Sequence, residues 1–154
     1  FSNIFGYSSG GYGVSMLGTG INITGYSTSS YGVFYQSGSG NDALCSIKAF
    51  STSAIALYIF KNAGKVELSN IDASCSWANS SGHAVEVTGV SNEIRISGGS
   101  LRVSNTSANC LFSGSSKNCY FTSLNFSNST VAVNPNITNL QSNSVDSFGN
   151  ILIG

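Results

Sequence analysis

The stretch Lys65-Val-Glu-Leu-Ser-Asn-Ile-Asp-Ala73, with His83-Ala-Val-Glu-Val87 after it, reads as three short alternating runs. They are Lys-Val-Glu-Leu, Ser-Asn-Ile-Asp-Ala and His-Ala-Val-Glu-Val. Alternation with a period of two marks a strand that buries one face. Ser, Asn and Gly, which suit tight turns, separate such runs along the chain.

The same unit recurs. Asn3-Ile-Phe-Gly-Tyr-Ser8, Asn22-Ile-Thr-Gly-Tyr-Ser27, Ser46-Ile-Lys-Ala-Phe-Ser51, Asn70-Ile-Asp-Ala-Ser-Cys75, Ser100-Leu-Arg-Val-Ser104 and Ser123-Leu-Asn-Phe-Ser127 align. Their leading apolar residues are Ile4, Ile23, Ile47, Ile71, Leu101 and Leu124, spaced by 19, 24, 24, 30 and 23 residues. A second series follows at Val14, Val33, Leu57, Val85, Leu111 and then Val131 or Val133. A third precedes each next unit, at Leu44, Leu68, Ile96 and Phe121. Three strands per repeat at this period predict a right-handed parallel β-helix, a solenoid of about six coils spanning residues 1–134. Residues 135–154 follow Asn134-Pro-Asn136 with a different apolar spacing, and are expected to form an irregular final coil or cap.

Stacking predicts which charges meet. Equivalent residues in successive coils lie about 4.8 Å apart. The alignment places Lys65 on Glu93 and Glu67 on Arg95, and Lys48, Asp72 and Arg102 in one column of alternating sign. Opposite charges on neighbouring strands stabilise a sheet. The competing architecture is an antiparallel sandwich. It calls for hairpin turns such as Asn-Gly or Asp-Gly, and neither dipeptide occurs.

Composition agrees with an all-β chain. Only 8% of the 154 residues are charged, the net charge is zero, and 18 are Gly. Nine Phe, seven Tyr and one Trp distinguish it from a disordered chain. There is no basic footprint for nucleic acid. No run of 18 apolar residues exists to span a membrane as a helix, so membrane insertion is not expected. The chain opens in mid-pattern at Phe1, which reads as a fragment of a longer protein. One His and four Cys (45, 75, 110 and 119) without a Cys-x-x-Cys do not make a zinc site of the usual kind, and no metal or cofactor is expected. The thiols are expected to be reduced and packed as small hydrophobes, the alternative being disulfides. Six Asn-x-Ser/Thr sequons carry little weight in so Asn- and Ser-rich a chain.

The stretch Gly82-His-Ala-Val-Glu-Val-Thr-Gly-Val-Ser-Asn-Glu-Ile-Arg-Ile-Ser-Gly-Gly-Ser-Leu-Arg-Val-Ser104 resembles a coil of the pectate-lyase-like β-helix superfamily. With Cys110-Leu-Phe-Ser-Gly-Ser115 it resembles bacteriophage tailspike proteins in particular. The resemblance covers roughly residues 1–134 and lies in the pattern of coils, not in a catalytic signature. It implies a homotrimer on the virion tail that binds, and usually cleaves, bacterial surface polysaccharide. A secreted protein is the alternative location. Two other functions fit the same pattern: a non-enzymatic β-helical spacer or trimerisation segment of a tail fibre or adhesin, and a free-standing polysaccharide lyase. The acidic calcium-binding cluster of the plant-wall lyases has no match here.

Glycoside cleavage generally uses two carboxyl groups. Glu67, Glu93 and Asp72 have basic neighbours in the alignment, Asp42 lies in an expected solvated turn, and Asp146 lies in the tail. Glu86 differs. It falls in an outward column with Phe34 and Tyr58 on one side and Phe112 on the other. Outward rings need a partner surface. Three readings stand: contact between subunits of a trimer; a sugar-stacking groove with Glu86 as acid and Phe34, Tyr58 and Phe112 as binding residues; or a slip of one residue that turns the rings inward. Trp77, in the longest coil, is a further candidate sugar platform or a cover for a corner of the core. His83 reads as structural. Tyr7, Tyr26 and Phe50 read as a stiffening aromatic ladder.

Overall fold

The computed structural model describes residues 2–37, 40–61, 64–89, 93–113, 118–127 and 139–142. Among these there is no helix. The first sheet contains β1 (Ser2–Ser8), β3 (Gly20–Ser27), β5 (Asp42–Ser51), β7 (Lys65–Cys75), β9 (Glu93–Val103), β11 (Asn118–Ser127) and β12 (Asn139–Ser142), paired in that order. The second contains β2 (Val14–Leu17), β4 (Val33–Ser37), β6 (Leu57–Lys61), β8 (Val85–Gly89) and β10 (Leu111–Ser113), also paired in chain order. Every pairing is parallel. The chain alternates between the sheets, so it winds as a β-solenoid. The winding amounts to about four turns, fewer than the expected six. The tail expected to form a cap lies outside the described residues except for β12, which pairs with β11 as one more parallel strand. Val131 and Val133 also lie outside them.

Two of the three expected strands of each coil are continuous. They join at Asn3, Asn22, Ser46, Asn70 and Ser123, which have φ between 53° and 56°, and at Gly98, with φ 69°. These six residues fall in one register column, flanked on both sides by paired residues of the parallel ladder. The left-handed conformation resets the alternation. Leu44 and Ile47 both point into the core although three residues apart, as do Leu68 and Ile71. Asn tolerates this conformation best among residues with a side chain, and a ladder of side-chain bonds adds to it. Asn22 Nδ2 donates to Asn3 Oδ1 at 3.0 Å, and Asn70 Nδ2 to Ser46 Oγ at 3.3 Å.

The core consists of stacked columns. Val14, Val33, Leu57, Val85 and Leu111 are in register in the second sheet. Ile23, Ile47 and Ile71, and Leu44, Leu68 and Ile96, stack in the first. From Ile23 onward the described members of these columns are at most 1% exposed. At the fifth coil the expected alignment is two residues out. Gly99, not Leu101, pairs with Ile71, and Leu101 pairs with Ala73. Large and small exchange places, Gly99 beside Ile71 and Leu101 beside Ala73, so volume is conserved across the pair of columns. The exchange also overturns one expected charge contact. Ser100, not Arg102, lies beside Asp72, and Arg102 lies beside Ser74.

The other expected charge neighbours are in strand register: Lys48 lies beside Asp72, Lys65 beside Glu93 and Glu67 beside Arg95, and of these Lys65 and Glu93 come within ion-pair distance. Lys65 approaches Glu67 at 2.6 Å and Glu93 at 3.7 Å, and Arg95 bonds Glu93 along its own strand. These pairs are solvent-exposed, so they contribute to register more than to stability. Asp42 corrects another expectation: it is not a solvated turn residue but pairs with Lys61, whose side chain is fully buried.

A further ladder closes the turns. Ser51 Oγ donates to Ser30 O at 2.7 Å and accepts from the amide of Ala54 at 3.0 Å. Ser27 makes the equivalent bonds to Gly11 O and the amide of Ser30. In the next coil the Cys75 thiol takes that position and donates to Ala54 O. Among the described residues Cys45 and Cys75 form no disulfide. Ser51→Ala leaves a buried carbonyl and amide without their partner, and is expected to cost about 1–3 kcal/mol in urea unfolding. Ser51→Cys is expected to recover part of that loss.

Candidate functional site

The second sheet presents Phe34, Tyr58, Glu86 and Phe112 in one register column. All four are half-buried. The slip that would have buried these rings is therefore absent. A second row runs beside this column, at the turn that enters each strand. Its members are Tyr12, Tyr31, Ile55 and His83, each one residue before the small residues Gly13, Gly32, Ala56 and Ala84. Each ring of this row stacks on a ring of the following coil. Tyr12 lies 4.9 Å from Phe34, Tyr31 4.5 Å from Tyr58, and His83 4.7 Å from Phe112, measured between centroids. Tyr12 and Tyr31 also stack on each other at 5.4 Å, and Phe34 on Tyr58 at 5.6 Å.

One place breaks this stack. Where the diagonal pattern would put two rings, the chain has Ile55 and Glu86. The break is flanked by the Tyr31–Tyr58 pair on one side and the His83–Phe112 pair on the other. Tyr58 and Phe112 lie two coils apart, on the order of 9.6 Å along the axis. The Glu86 side chain stands between them in register, so at this level the column offers a carboxyl in place of a ring face.

Glu86 sits in this break with no hydrogen bond to its carboxyl among the described residues. Burial alone raises its pKa. Tyr31 is close enough that Glu86 affects it. Burial first, then Tyr58, Glu86 and Tyr12, push the Tyr31 phenol up, so it remains a hydrogen-bond donor. Tyr58 Oη accepts from Thr88 Oγ1 at 2.7 Å, which fixes its ring. The Asn109 amide donates to His83 Nδ1 at 3.1 Å, which only an unprotonated Nδ1 accepts. Burial also lowers the His83 pKa. His83 is therefore a neutral ring that orients Phe112, with one nitrogen already engaged.

The raised Glu86 pKa fixes a sign. The neutral acid is favoured in the fold, so ionisation opposes folding. The Glu86 contribution to stability is highest below about pH 4.3, the unfolded value, and declines as pH rises through the folded pKa. A 13C titration of the Glu86 side chain should give a midpoint above the usual glutamate range. A midpoint at or below it would remove Glu86 as an acid at neutral pH.

Trp77 does not join this column. It follows β7 in the loop to Gly82, half-buried, and packs against the core. That contact favours its role as a cover over its role as a platform. The sequence reading missed Tyr12, Tyr31 and Ile55. The repeated Tyr12-Gly-Val14 and Tyr31-Gly-Val33 carried the signal, since Val14 and Val33 were already aligned. Among the described residues no group of three metal-ligating side chains gathers. Cavities of about 340 Å³ and 290 Å³ lie on the outer face of the first sheet, away from the ring break.

The fold and site together define a parallel β-solenoid with an interrupted outward ring column and an acid in the interruption. Comparison with protein-family models, curated proteins and solved structures finds no match.

Proposed function

We propose that this chain is a segment of a right-handed parallel β-helix of the bacteriophage tailspike kind. In this reading it binds bacterial surface polysaccharide at the break in the ring column, and Glu86 is the acid in its cleavage. The observation that carries the reading is the substitution of Ile55 and Glu86 for two rings in an otherwise regular stack. Aromatic faces bind the apolar faces of sugar rings, and Tyr31 and Glu86 offer a donor and an acceptor to sugar hydroxyls. A carboxyl whose pKa burial raises holds its proton to higher pH, as an acid that protonates a glycosidic oxygen must.

Cleavage needs a second carboxyl group. The other described carboxylates, Asp42, Glu67, Asp72 and Glu93, belong to the first sheet. A neighbouring subunit of a homotrimer on the virion tail would supply the second group at this face. The test is incubation of the chain with a panel of purified bacterial capsule and lipopolysaccharide preparations. Retention on one of them supports recognition, and new reducing ends support cleavage. Neither result on any preparation would leave the non-enzymatic spacer as the better description. Sedimentation of the chain in solution tests the trimer.

A further inference from the structure

The outer face of the first sheet changes character along the solenoid. Beyond the corner at Asn3 and Asn22, its outward residues form two register columns. One runs Phe5, Thr24, Lys48 and Asp72, the other Tyr7, Tyr26, Phe50 and Ser74. Each begins on a ring and ends on a polar or charged side chain. Phe5 is 75% exposed and Tyr7 62%. Tyr7 and Tyr26 stack at 5.2 Å, so their rings form one surface. Among the described residues every exposed large hydrophobic side chain lies before residue 22. Charge is absent from the same end: residues 1–41 contain no Asp, Glu, Lys or Arg, and Asp42 is the first charged residue. A contiguous apolar patch bordered by polar residues marks an interface.

Charge also selects the partner. A charged surface placed here would lose its hydration and gain no ion pair. A second copy of the chain brings an equally uncharged patch, and a two-fold contact uses the same surface on both sides. The geometry of that contact follows from the columns. With the two solenoid axes parallel and coil facing coil, Lys48 would meet Lys48 and Asp72 would meet Asp72. With the axes antiparallel only the first coils overlap, and the charged coils extend away on opposite sides. We infer that the face made by Phe5, Tyr7 and Tyr26 is a contact between two copies of this chain, joined by a two-fold axis with their solenoids antiparallel. A patch of this size supports a weak, reversible dimer. The contact lies on the sheet that does not carry the ring break, and it stands without the carbohydrate reading.

Sedimentation equilibrium of the chain between about 10 μM and 1 mM tests the inference. The parent is expected to pass from monomer to dimer over this range. Phe5→Glu and Phe5→Lys each place like charges in the two facing patches, and each is expected to raise the dissociation constant at least about tenfold. An equimolar mixture of the two variants is expected to recover affinity, because opposite charges then meet. That recovery identifies the partner as a second copy. Phe5 points outward, so both variants should melt at the parent's temperature. Tyr7→Gln, at the other exposed ring, is expected to weaken the dimer in the same direction if a charged variant fails to fold. A monomer throughout the range would overturn the inference. So would an assembly that Phe5→Glu leaves intact, or a mixture no tighter than either variant alone. Glu86→Phe, on the other sheet, is expected to leave the dimer unchanged, and its loss there would place the contact on the ring column instead.

Discussion

Gly99→Ala is expected to destabilise the chain by about 3 kcal/mol or more, or to prevent it from folding. Gly99 has φ of 116°, a conformation that L side chains rarely adopt. A Cβ there would lie 2.0 Å from the carbonyl oxygen of Ile71 and 2.6 Å from its nitrogen. Both are backbone atoms of the neighbouring coil, so neither can move aside without breaking the parallel ladder. Gly98 is the control. Its φ is 69° and nothing lies within 4 Å of an added Cβ. Gly98→Ala should cost about 1 kcal/mol, and Gly98→Asn less, because Asn already occupies this column at Asn3, Asn22 and Asn70. Urea unfolding of the three variants checks the order. Equal effects at positions 98 and 99 would mean that the fifth coil is not seated on Ile71.

The second large effect concerns activity. Glu86→Gln is expected to lower the rate of polysaccharide cleavage by about 10²- to 10⁴-fold, the usual contribution of a general acid. The amide keeps the shape of the carboxyl and its capacity to bond a sugar hydroxyl, so retention on the polysaccharide should persist. At neutral pH the same variant should be more stable than the parent, because the partly buried charge is gone. Its stability should also lose the decline between acid and neutral pH described above. Unchanged cleavage would remove Glu86 from the chemistry, and reduced stability would contradict the burial argument.

Most of the solenoid was legible because stacking forces like residues into register. Val14, Val33 and Leu57 are spaced by 19 and 24 residues yet alike in character, since only the corners vary in length, and Ile23, Ile47 and Ile71 repeat at 24. The fifth coil misled for a physical reason. Core volume is conserved across a pair of columns, so Gly99 with Leu101 replaces Ile71 with Ala73, and matching by residue type moved the alignment by two positions. The number of closed turns was overestimated because apolar matches continue beyond the residues in which both sheets are paired. At the candidate site the column of Phe34, Tyr58, Glu86 and Phe112 followed from the apolar alignment. Its companion row of Tyr12, Tyr31, Ile55 and His83 did not, because diagonal stacking joins residues of different coils across a turn. Without that row the break at Ile55 and Glu86 is invisible.

The claim that matters most is that this break receives a sugar ring. Replacing Glu86 by phenylalanine fills the interruption with the side chain already present at Phe34 and Phe112. Retention of the parent and the variant should then be compared on a bacterial surface polysaccharide that holds the parent. The account predicts an intact fold, undiminished thermal stability and loss of retention. A folded variant that holds the polysaccharide as firmly as the parent would contradict it.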